Sequence, residues 1–113
     1  MGLRAGAMRW RVAFDRRQTA AGGELGDWDE QFDVAAEITW LRGSEPVIAQ
    51  RLEGVQPVVI TVRKSSRTAL IETGWRARDV RSGVAYDITG VSPARADPLA
   101  GLDILASSGG PNG

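Results

Sequence analysis

Five consecutive β-branched residues, Val58-Val59-Ile60-Thr61-Val62, constrain the fold of this chain more than any other feature. Branching at Cβ stiffens χ1 and crowds the preceding turn of a helix, whereas a pleated sheet accepts it. The segment Val55 to Arg63 is therefore predicted to be a strand, with Val58, Ile60 and Val62 on one face. A strand needs partners, and the same period of two recurs elsewhere. Trp10, Val12 and Phe14 alternate with Arg9, Arg11 and Asp15, and Ala36, Ile38 and Trp40 alternate with Glu37 and Thr39. Trp75 to Val80 and Val84 to Val91 read as a hairpin turning at Arg81-Ser82-Gly83, with Tyr86 and Ile88 facing inward. Leu102 to Leu105 makes a last short strand after the connection holding Pro93 and Pro98.

Turn signals separate these strands. Residues 17–30 contain Gly22-Gly23 and Gly26 among polar side chains and read as a long turn or hairpin loop. Gly43 ends the strand at Trp40. Ser44 is then a helix N-cap, with Glu45 and Pro46 in the first turn, a narrow apolar face of Val47, Ile48 and Leu52, and Gly54 as the terminal cap. A helix of about ten residues does not stand alone in water and must dock on something. The expected fold class is mainly β: a small antiparallel β-barrel or sandwich with one short helix and a long loop. Residues 1–106 form a single domain, and the Gly/Ser/Pro/Asn tail at 107–113 is expected to be disordered. Inner-face positions are Val12, Phe14, Ile38, Trp40, Ile60, Val62, Tyr86 and Ile88.

The residue inventory removes most chemistry. The 113 residues include no cysteine and no histidine, so disulfides, thiolate sites, imidazole metal ligands and Ser-His or Cys-His nucleophiles are absent. The glycines at 22, 23 and 26 lack the Gly-Lys-Ser/Thr of a phosphate loop. Asp27, Asp29, Glu30 and Asp33 lack the spacing of a calcium loop. No catalytic residue, cofactor or metal is expected. Without an apolar run long enough to cross a bilayer or a signal-peptide core, the chain is expected in the cytoplasm, with no membrane partner.

Net charge is zero, but the charges are segregated. Between Gln18 and Leu41 stand six acids and no base, whereas Arg63 to Arg81 carries six bases against Glu72 and Asp79. Thirteen of the fourteen bases are arginine, the cation suited to planar pairing with carboxylates. Such segregation describes either solvated faces or complementary patches on neighbouring subunits. The candidate patches are Glu24, Asp27, Asp29 and Glu30 on the acidic side, and Arg63, Arg67, Arg76 and Arg78 on the basic side. Of the four tryptophans, Trp10 and Trp40 fall on inner faces, while Trp28 and Trp75 lie beside turns, where they serve either a core or an interface. Arginine with tryptophan in a small barrel also suits a module binding single-stranded nucleic acid, although zero net charge and a single lysine argue against it.

The order of these parts resembles the head-tail joining, or head closure (stopper), proteins of tailed phages and of phage-like gene transfer particles. The pieces that carry the resemblance are Arg9-x-Arg11-Val12, Trp28 after the loop, Ala36-Glu37-Ile38 followed by Gly43-x-Glu45, Val62-Arg63, and Tyr86-x-Ile88. They span Met8 to Leu105; Lys64 stands where such proteins often have tyrosine. The resemblance implies a structural protein, not an enzyme, assembled in the bacterial cytoplasm as part of a virion or phage-like particle. It implies a homo-oligomeric ring, six- or twelve-membered, below the portal and adaptor and above the tail terminator and tail tube. Double-stranded DNA would pass through its channel, be retained there after packaging, and the tail would dock beneath. It also places the candidate gate near the channel, in the segment of Ser44, Glu45, Val47, Ile48, Gln50 and Arg51.

Overall fold

The computed structural model describes residues 8–19, 22–23 and 25–109. Six strands follow one another as β1 (Trp10–Thr19), β2 (Leu25–Trp40), β3 (Gln56–Arg63), β4 (Arg76–Asp79), β5 (Ala85–Pro93) and β6 (Gly101–Ser108), with one helix, α1 (Glu45–Leu52), between β2 and β3. All neighbouring strands are antiparallel, in the order β1-β2-β3-β6-β5-β4. β4 then returns to pair with β1, Val12 opposite Asp79 and Asp15 opposite Arg76, so the sheet closes on itself. Within the closed part no strand is left with a free edge to invite aggregation.

The β-branched run forms the middle of the sheet as its stereochemistry requires. β3 pairs with β2 through Glu37 to Trp40 and with β6 along its whole length. Val58, Ile60 and Val62 are buried together with Val12, Phe14, Ile38, Tyr86 and Ile88, all expected inside. Phe32, Ile71, Trp75, Ala77, Ile104 and Ala106 complete the same cluster. Trp40, also expected inside, is only partly buried: with Trp10 it packs against the core from its margin, the two rings edge to face with centroids 5.5 Å apart.

Two expectations need correction. Residues 17–30 are not a long loop. β1 runs on to Thr19 and β2 begins at Leu25, so the hairpin continues as a two-stranded arm with its turn near Gly22-Gly23, both at positive φ. The polar composition that reads as loop is satisfied by cross-strand pairing, with Arg16 opposite Asp29 and Arg17 opposite Trp28. Gly26 belongs to this strand, and a Cβ there would press on the Gln18 carbonyl at 3.3 Å. β4 pairs only with Val12 to Asp15 of β1, and β3 only with Glu37 to Trp40 of β2, so the arm extends beyond the closed sheet. The second correction concerns the tail. Ser107 and Ser108 belong to β6, opposite Pro57 and Gln56; residues 110–113 lie outside the described residues.

Candidate assembly surfaces

Asp15 follows Phe14 on β1, and the alternation of the strand turns its carboxylate to the outer side of the sheet. A register shift between Phe14 and Asp15, which skips Gln31 on β2, sets it opposite Glu30 and beside β4. There it is 1% exposed. A carboxylate so buried needs charged partners, and β4 supplies two. Arg76 reaches one oxygen at 2.7 Å through its terminal nitrogen and 2.8 Å through Nε, and Arg78 spans both oxygens at 3.2 and 3.3 Å. Arg78 also donates to Glu30 at 2.7 Å. Hydrogen bonds to Asp15 first, and then to Glu30, raise the Arg78 pKa above its ordinary value. Two more guanidinium contacts brace the root of the arm: Arg17 and Arg76 lie 5.0 and 4.6 Å from the Trp28 ring centroid.

This network redistributes the expected patches. Glu30 and Arg78 do meet, but within one chain, and Arg76 is engaged by Asp15. Asp27 and Asp29 are exposed on the arm, while Glu24 lies outside the described residues. Arg63, at the end of β3, and Arg67, in the connection after it, are exposed; the Arg67 guanidinium lies 5.7 Å from the Phe32 ring centroid. Trp75 is a core residue, whereas Trp28 is half-buried beneath its arginines. Sequence periodicity puts Asp15 on an outward face, and nothing local marks it as buried, because its partners stand 61 and 63 positions later.

The candidate gate is helix α1. Glu45 occupies its first turn and Arg51 its last, each favourable to the helix dipole. Ser44 is the N-cap, although its hydroxyl makes no capping bond; its carbonyl accepts from the Ile48 amide at 2.9 Å. Gly54, at φ +84°, turns the chain out of the helix into β3. None of the helix residues is buried. Val47 is half-covered, Gln50 is exposed, and Ile48 and Leu52 show 45% and 84% of their surface. The helix therefore fills no part of the interior of the closed sheet.

A cleft of about 530 Å³ opens at the other end of β3. Ala69, Ile71, Val91 and Leu102 form apolar walls, and Lys64 stands at the lip with its ammonium bonded to the Pro98 carbonyl at 2.7 Å. Buried Thr68 sets its shape. Its hydroxyl donates to the Arg63 carbonyl at 2.8 Å and accepts from the Ser65 amide at 2.8 Å, which holds the short 3₁₀ turn Thr68–Leu70. Among the described residues no three acidic side chains gather in a metal-binding group.

Residues 3–108 match a protein family described as phage head completion protein. No curated protein matches. Solved structures similar in fold include two of note. One is the solution structure of protein SF1141 from Shigella flexneri 2a, 21% identical, with a TM-score of 0.66 over 96% of this chain and 99% of that one. The other is a chain of the virion of a native gene transfer agent particle, 20% identical, with a TM-score of 0.58 over 87% of this chain and 91% of that one.

Proposed function

We propose that this chain, which belongs to the phage head completion protein family, is a connector subunit of a virion or phage-like particle that closes the filled head and receives the tail. The family match over residues 3–108 carries this reading, because it takes in every strand of the closed sheet and the arm. The likeness in fold to a chain of a gene transfer agent virion supports it. Copies of the chain assemble as a ring below the portal and adaptor, with the tail terminator and tail tube beneath and the packaged DNA in the channel. The physical basis is a closed sheet that displays two unburied devices: the arm, with Asp27 and Asp29 exposed on its β2 strand, and helix α1.

Asp27 and Asp29 on the arm offer a negative edge to a basic surface of an adjoining subunit. Exposed ion pairs are individually weak, about 0–1 kcal/mol each, so repetition around a ring is what gives them effect. Helix α1, held on the sheet by no buried side chain, is the segment suited to shift between positions that retain DNA and pass it. A module gripping single-stranded nucleic acid is less well supported. Arg11, Arg76 and Arg78 are already paired with acids of their own chain, and Trp28 lies against two guanidiniums instead of offering an open stacking face.

The test is to delete the gene from a particle-producing strain. DNA-filled heads and free tails that do not join are the expected result, with joining restored by adding the purified protein. Tailed, DNA-retaining particles formed without the protein would refute the reading.

A further inference from the structure

Two apolar features of this chain lack partners, and they sit at opposite ends of one strand. Helix α1 leads into Gln56, the first residue of β3, whereas the cleft begins at Lys64, directly after its last residue, Arg63. Eight residues of strand separate them by about 23 Å. The helix is convex: Ile48 and Leu52, four positions apart, project from the same side, Ile48 nearly half exposed and Leu52 largely so. The cleft is concave, apolar and shaped in advance by the Thr68 hydrogen bonds. The charges lean the same way: Glu45 and Glu53 flank the helix against the single Arg51, and Lys64 is the one charged residue lining the cleft.

We propose that α1 of one copy seats Ile48 and Leu52 in the Ala69–Ile71–Val91–Leu102 cleft of the next copy. The contact rests on the ring reading above and names the surface that makes the ring. A knob and a pocket on opposite ends cannot satisfy each other within one chain; between copies they meet either reciprocally across a two-fold axis or repeatedly head to tail. The ring reading selects the head-to-tail arrangement, which closes when the rotation per subunit allows. Eight helical residues fall short of the roughly 1,200–2,000 Å² of a stable interface, so this contact is its desolvated centre, with polar surroundings as the rim. The helix is then steadied by a neighbour, which accounts for a helix that has no buried residue of its own.

The experiment uses the full chain and three variants: Leu52→Glu on the helix, and Ala69→Glu or Val91→Asp in the cleft. Leu52, Ala69 and Val91 are all exposed in the single chain, so circular dichroism and thermal melting should match the wild type. Analytical ultracentrifugation should show the wild type as a ring and each variant as a monomer. Mixing the helix variant with a cleft variant leaves one functional knob and one functional pocket, so the mixture should stop at a heterodimer. Variants that form the ring as well as the wild type would overturn the helix-cleft contact while leaving the ring reading intact. Variants that stay monomeric when mixed would overturn head-to-tail seating. A wild type that stays monomeric both alone and on purified heads would overturn the contact together with the ring.

Discussion

Asp15 shows how a single residue ties distant parts of this chain together. Its buried carboxylate joins the root of the arm to β4 through Arg76 and Arg78, at the seam where the sheet closes. Replacing both arginines with alanine would strand a buried charge, which costs on the order of 3 kcal/mol. Urea unfolding should register that loss, while Glu30→Ala, which removes only the half-exposed outer acid, should change stability by about 0–1 kcal/mol. Equal effects of the two changes would show that Asp15 is not the centre of the network. Ile60 tests the core at the same scale. It has no exposed surface, and truncation to alanine should cost about 2–5 kcal/mol. An Ile60→Ala protein of unchanged stability would contradict its position at the middle of β3.

The elements differ in how firmly they are held. β3 is paired on both sides, and its inward residues are fully buried. Helix α1 contributes no buried residue. In dilute, monomeric protein, amides from Val47 to Leu52 should therefore exchange far faster than those from Val58 to Val62. Equally slow exchange would end the case for α1 as a moving part. The arm is an extension of two strands whose outermost residues pair only with each other, and Asp27 and Asp29 are exposed on its β2 strand. Reversing Asp27 and Asp29 to lysine should leave the melting temperature within a few degrees of wild type, since surface changes rarely exceed about 0.5 kcal/mol. The same variant should impair the joining of heads to tails, more visibly at low salt than at high. Normal joining by that variant would remove the acidic edge from the assembly.

At the scale of the molecule, closure of the sheet makes the strands interdependent: opening the β1–β4 seam exposes Val12, Phe14 and Ala77 together. Thermal unfolding of the monomer should be a single transition, with tryptophan fluorescence and far-ultraviolet circular dichroism coinciding. Separate midpoints would mean that the arm and the closed sheet unfold as different units. The strands themselves were legible in the chain, because a period of two and a run of β-branched residues are local properties that a local reading recovers. So were the inward positions from Val12 to Ile88 apart from Trp40, which sits at the margin, the hairpin around Gly83, and the short helix bounded by Ser44 and Gly54. The arm was not legible, since glycines and acids between residues 17 and 30 describe a loop until each strand is seen to satisfy the other. The burial of Asp15 was equally hidden, as were the engagement of Arg76 and Arg78 in their own chain and the cleft beside Thr68. Each depends on register between segments tens of residues apart. Periodicity tells a side chain which face it takes; only pairing across the closed sheet decides what it meets there.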